Sequence, residues 1–365
     1  METTPDIVLE PTAWRTRLTP SVGLVVVAAV YAGTAAVLFP TSFAASFGGI
    51  RLLMFYLLLP ILMLLGLAFA GIIQQPGSPL GYVRAKIRSR GIGAMTTIGV
   101  FTLCLGAFTT YKHEFSSLVS FFADPLFARL DATIHFGDPW RWTRALPLPG
   151  FFDRMLYFLY SQLWLALVAG IIVFAAWMED AATRLRYFTA LLSTAILLGV
   201  VARLAGSSAG PIFYDRLFGG DRFADLMSAL KTSDSGPETL QIADYLYASY
   251  ASNETVVGSG ISAMPSFHVA MVTLNALFLW SLNRRVGSIA WLYAGLILFG
   301  SVYAGWHYAI DGYVSIATVL MIWRWTRRRY VAPGDHRNDT ATIASKPALD
   351  VAWTLVAWWQ RDPRP

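Results

Sequence analysis

His268 and His307 are the residues of this sequence best placed to do chemistry. They are the only side chains that ionise near neutral pH in two long, otherwise uncharged runs, residues 255–283 and 286–310. An imidazole there can serve as acid, base or nucleophile. Asp311 follows His307 by four residues, so on a helix its carboxylate lies one turn away on the same side. A carboxylate so placed accepts from one ring nitrogen, fixes the tautomer, and leaves the other nitrogen free and more nucleophilic. The stretch from Gly258 to His268 sets small hydroxyls and Pro265 ahead of a helix. The N-terminus of such a helix favours an anion, with Ser266 as one further donor. The same side chains also suit a capping histidine with a local carboxylate. Two His and one Asp suit zinc as well, but these segments hold no further ligand. His113, His135 and His336 lie in polar or interfacial segments and read as solvated histidines. Cys104, the single cysteine, stands alone in an apolar run and leaves no disulfide or thiolate metal site.

The elements that hold these residues are membrane spans. Of 365 residues, 56% are apolar and only 14% charged, against roughly 25% charged in soluble domains. The mean hydropathy is +0.52. These values exclude a disordered chain, a polar solenoid and an ordinary cytosolic enzyme, and leave an all-α, multi-pass transmembrane bundle. A span needs roughly 17–25 apolar residues. Eight runs qualify, near 20–39, 52–73, 92–110, 155–178, 187–205, 264–282, 287–305 and 307–325. The first follows Arg15 and Arg17 but is longer than a signal-peptide core, so it reads as a retained helix.

With eight spans, the basic clusters at 15–17, 84–90, 184–186, 284–285 and 327–329 all fall on one side. That side is cytoplasmic by the positive-inside rule, and both termini lie there. His268 and His307 then meet at the outer face of a cell (inner) membrane. The net charge of +6 resides in these short runs, so no nucleic-acid partner is expected. Residues 111–150 read as short amphipathic helices at the interface, 206–260 as a large acidic outer loop, and 328–365 as a cytoplasmic tail with a short apolar stretch at 351–359.

These residues resemble the motifs of the type 2 phosphatidic acid phosphatase (PAP2) superfamily. Pro265-Ser266-Phe267-His268 is similar to its second motif, Pro-Ser-Gly-His. The run from Tyr303 through Gly305 and His307 to Asp311 is similar to the third. Arg203, six residues and then Gly210-Pro211 is a partial match to the first, Lys, six residues, Arg-Pro. Phe267 replaces a glycine, and Gly210 and Ser301 stand where the motifs carry arginines. The form of the second and third motifs, and the stretch from Leu130 to Trp140, look like the inositol-phosphotransferase branch, which includes inositol phosphorylceramide synthase.

The resemblance implies a six-helix core over residues 92–327, with 1–91 adding a tail and two accessory helices. It also implies a phosphohistidine mechanism without metal or cofactor. His307 would attack phosphorus, Asp311 would orient it, and His268 would protonate the leaving oxygen and then activate the acceptor. Arg203, Ser266 and Arg216 would hold the phosphoryl oxygens. The substrates would be a lipid phosphate or phospholipid and a lipid or polyol acceptor. A phosphomonoester carries close to two negative charges and a diester one. With two motif cations absent, a diester and transfer of a phospho-headgroup fit better than hydrolysis of phosphatidate or a polyprenyl pyrophosphate, the alternative activity.

Overall fold

A computed structural model describes residues 20–47, 59–146, 148–254, 258 and 260–330. Residues 52–58 of the second expected span, His336 and the stretch 351–359 lie outside them. The described residues are all-helical. In chain order the helices are α1 (Pro20–Leu38), α2 (Pro40–Ala45), α3 (Leu59–Gln74), α4 (Pro79–Leu118), α5 (Asp124–Ile134) and α6 (Pro139–Ala145). Next come α7 (Gly150–Trp177) and α8 (Ala181–Ala205). Then follow α9 (Pro211–Phe218), α10 (Ala224–Thr232), α11 (Gly236–Ser252), α12 (Phe267–Leu282), α13 (Arg284–Tyr303) and α14 (Ala309–Tyr330).

Each of the eight expected spans falls on a helix where it is described. α1, α4, α7, α8 and α13 are long and apolar enough to cross a membrane unaided. α12 is apolar but shorter. α14 carries Asp311 in its first turn and Arg327, Arg328 and Arg329 in its last. Val30, Val37, Ile92, Ile289, Leu292 and Met321 stand exposed on these helices. Such a surface is a liability in water and the stable arrangement in hydrocarbon.

The bundle core forms around Tyr187, Phe188, Met271, Leu274 and Phe278. The Tyr187 ring lies 4.5 Å from Phe278, and its hydroxyl donates to Asn275 Oδ1 at 2.9 Å, which satisfies two buried polar groups at once. Asn283 ends α12 and caps α13, accepting from the backbone N–H of Arg285 and Val286. The two helices therefore turn back on each other with almost no loop.

Two sequence expectations need correction. Residues 206–260 are not a loop. Proline at the first turns of α9 and α11, and positive φ at Gly219 and Gly220, divide the segment into three helices. Their apolar faces bury Phe213, Phe223, Leu226 and Leu230 in a second core beneath them. Residues 111–118 also do not form a separate short helix: no proline interrupts α4 there, and it runs on for two turns. His113 is consequently buried, not solvated. Glu114 accepts a hydrogen bond from Ser42 of α2.

α5 and α6 join α9–α11 as a cap at one end of the bundle. Asp131 accepts from the backbone N–H of Ala309 and Ile310 at 2.9 and 3.1 Å, and so caps α14 from another helix. Asp153 accepts from Ser235 N at 2.5 Å. Arg144 Nε donates to the Tyr303 carbonyl at 2.9 Å. The Asp131 and Arg144 contacts land on, or beside, the turn that carries His307.

Candidate active site

His307 lies in the turn between α13 and α14. Gly305, at φ +73°, lets the chain reverse there. His307 Nδ1 lies 2.9 Å from the Ala263 carbonyl and 3.3 Å from Asp311 Oδ2. Both partners only accept, so the proton belongs on Nδ1 and the lone pair on Nε2. Asp311 is fully buried. Its Oδ2 also accepts from Tyr308 N at 3.0 Å, while Oδ1 has no hydrogen-bond partner. Ala263 is held in turn: its N–H donates to the Ser208 carbonyl at 2.8 Å, and Met264 N donates to Ser208 Oγ at 3.0 Å.

His268 is the second residue of α12. Its ring stacks on Tyr160 (centroids 4.5 Å apart, 11° between planes) and on Trp164 (4.2 Å). Trp164 Nε1 donates to the His268 carbonyl at 3.1 Å. Tyr160 sits within a π-helical segment of α7, Leu159–Leu163, which ends just before Trp164. The wider turn re-aims both rings relative to a regular helix. His268 lies within charge-interaction range of His307. The two histidines thus share one locality, although 39 positions separate them in sequence.

The expected anion-binding residues divide. Ser266 is fully buried and caps α12, its Oγ accepting from Val269 N at 3.5 Å. Its own N–H donates to the Asp311 carbonyl, which ties the starts of α12 and α14 together. Arg203 is buried directly after a second π-helical segment, Leu197–Ala202. One of its nitrogens donates to the Ile261 carbonyl at 3.4 Å, and Nη1 has no partner. Arg216 is not brought to the histidines. It pairs with Asp244 at 2.5 Å and lies over the Tyr247 ring on the cap. Among the described residues, no three His, Cys, Asp or Glu side chains converge as a metal ion requires.

Sequence reasoning missed several positions. The Tyr160–Trp164 clamp carries no signal beyond two aromatics four residues apart. Asp124 is fully buried and accepts from Ala209 N, Gly210 N and the Tyr308 hydroxyl, all at 2.8–2.9 Å. Burial pushes the Asp124 and Asp131 carboxyls above the usual carboxylate range, and their backbone hydrogen bonds pull the other way. Lys112 of α4 was also missed. It lies within charge-interaction range of Arg203 and His268.

Gly210 is explained by the backbone. Its φ is +96°, and a Cβ there would overlap the Trp306 carbonyl and sit 3.1 Å from Ala263 Cβ. An arginine does not fit this conformation. Gly210→Ala is expected to cost at least about 1–3 kcal/mol, the usual penalty for a non-glycine residue in a strained region. Thermal unfolding in detergent checks this, and an unchanged midpoint would contradict it.

An all-helical membrane bundle with a His–His–Asp centre at one end is what the fold and site define. Residues 126–325, more than half of the chain, match the PAP2 superfamily, and the chain belongs to it. The superfamily comprises phosphatases and phosphotransferases, which places the protein among enzymes of that broad chemistry. No curated protein and no solved structure matches the chain.

Proposed function

We propose that the protein is a membrane lipid phosphotransferase that moves a phospho-headgroup, inositol phosphate being one candidate, to a lipid or polyol hydroxyl through a phosphohistidine. The observation that carries this reading is His307 Nδ1 held between Ala263 O and Asp311 Oδ2, which leaves Nε2 as a free nucleophile. Nε2 attacks phosphorus and forms a P–N bond as the P–O bond to the leaving alkoxide breaks. His268 gives its proton to that alkoxide, then takes one from the acceptor hydroxyl, which attacks the phosphohistidine and frees His307. Arg203 and the Ser266 hydroxyl stabilise the charge on the non-bridging oxygens.

The charge count supports a diester. Gly210 and Ser301 supply no cation, and Arg216 is occupied by Asp244. The orientation follows from where the basic residues gather. Arg186 donates to the Trp323 carbonyl near the arginine-rich end of α14. At 1.5 Å per residue that end is about 25 Å from Asp311. A cytoplasmic basic end supports histidines at the extracytoplasmic face, at the level of the outer leaflet's headgroups.

The experiment compares two products in membranes that contain the full-length protein. Headgroup transfer between labelled phospholipids and an alcohol acceptor is the expected result. Rapid release of inorganic phosphate from phosphatidate without transfer would replace this reading with that of a lipid phosphate phosphatase.

A further inference from the structure

We propose that Lys112 is a phosphate-binding residue of this site, supplied by α4 in place of the cations absent at Gly210 and Ser301. The proposal rests on the phosphotransfer reading above and adds a residue 14 positions before the segment that matches the superfamily.

Phe108, Lys112 and Ser116 are spaced four residues apart and line a single side of α4. All three meet the segment that leads into α12. The Phe108 ring packs 4.2 Å from Phe267, the residue that replaces the motif glycine next to His268. Lys112 Nζ donates to the Gly258 carbonyl at 3.2 Å. Ser116 Oγ donates to the Ile261 carbonyl at 2.7 Å, the same oxygen that Arg203 approaches from α8. α4 is thus a wall of the site, and Phe267 is part of what holds it there.

Charge then decides what Lys112 does. Lys112 lies within charge-interaction range of Arg203, a like charge, and of His268. Among the described residues, carbonyl oxygens are the hydrogen-bond partners of both side chains, and no carboxylate pairs with either. Glu114, two residues along α4, is engaged by Ser42. Arg203 keeps a buried nitrogen with no partner. Two neighbouring cations, Arg203 buried and Lys112 partly buried, with neither charge matched by a carboxylate, repel each other and favour an anion between them. A phosphoryl group with its non-bridging oxygens toward Lys112 and Arg203 supplies that anion, and places phosphorus beside the two histidines. With Lys112 the site holds two fixed cations where the superfamily motifs carry three.

The test uses the full-length protein in detergent and orthovanadate as the phosphoryl mimic, with affinity read from the thermal shift. Lys112→Gln is expected to weaken vanadate binding by about tenfold or more, as for loss of one charge-assisted hydrogen bond. Lys112→Arg is expected to restore most of it. Without vanadate, Lys112→Gln is expected to melt no lower than wild type, because it removes a repulsion; a purely structural lysine would lower the midpoint. Lys86→Gln, at the opposite end of α4, controls for general loss of charge. Wild-type affinity in Lys112→Gln overturns the proposal and leaves the phosphotransfer reading intact. A wild-type protein that ignores vanadate overturns both. Lys112→Met stands in if the glutamine variant does not fold, and failure of both to fold makes Lys112 structural and ends the proposal.

Discussion

His307→Ala is expected to abolish turnover and any covalent phosphoenzyme. The imidazole is the nucleophile in the proposed scheme, and no neighbouring group replaces it. Removing one member of a catalytic unit of this kind costs on the order of 10⁶ in kcat. His268→Ala is expected to do less, about 10² to 10⁴, the usual contribution of a general acid or base. With a leaving group that needs no proton, it should still form the phosphohistidine and then release it slowly. Asp311→Asn separates two jobs. The Ala263 carbonyl is closer to Nδ1 than the carboxylate is, 2.9 against 3.3 Å, so the tautomer survives the substitution. What is lost is the negative charge that stabilises the ring once it carries phosphorus. The expected loss is therefore smaller than that of serine-protease triads, where the equivalent change costs about 10⁴ through the wrong tautomer. Single-turnover labelling of the three variants measures all of this. Turnover that persists in both histidine variants removes the mechanism. The pH profile of the wild-type enzyme should be bell-shaped, because His307 must be neutral when His268 is protonated.

The spans and the His307–Asp311 pair were legible because they are local. An uncharged run of about twenty residues announces a span without reference to anything else. A histidine and an aspartate four apart announce a close pair, although His307 lies in the turn before α14 and Asp311 meets it from the first turn of that helix. Fold class and the candidate pair followed from these two local patterns. What stayed hidden depends on partners far along the chain. Lys112 looks like the polar end of a span until α4 is seen to continue past it to Leu118. The 206–260 segment reads as acidic and punctuated, but its apolar residues recur at helical spacing across short elements that only tertiary burial stabilises. In the sequence Arg203 and Arg216 are both available guanidiniums, Arg216 also reading as a solvated loop charge. The difference is Asp244, a partner that no spacing rule assigns to it. Gly210 read as a lost arginine, and the positive φ that forbids the arginine belongs to the folded backbone alone.

Asp124→Ala is expected to be the most disruptive change outside the reacting groups. It leaves three donors without an acceptor: Ala209 N, Gly210 N and the Tyr308 hydroxyl. Each buried donor so abandoned costs about 1–3 kcal/mol, so the total is on the order of 3–9 kcal/mol, a large share of the about 5–15 kcal/mol that keeps a domain folded. The damage reaches the chemistry through a short chain of contacts. Asp124 fixes residues 209–210, the adjoining Ser208 holds Ala263 and Met264, and the Ala263 carbonyl holds the Nδ1 proton of His307. kcat should therefore fall more than KM rises, because a misdirected nucleophile binds lipid as before and attacks it poorly. Asp124→Asn should be intermediate: its single oxygen keeps one or two of the donors, while its NH₂ faces the remaining N–H. The control is Asp225→Ala, which removes the exposed Arg141–Asp225 pair at 2.7 Å on the same cap. Exposed pairs are worth about 0–1 kcal/mol, so that variant should unfold and turn over almost as wild type does. Equal behaviour of the Asp124 and Asp225 variants would mean that the cap is not what holds the nucleophile in place.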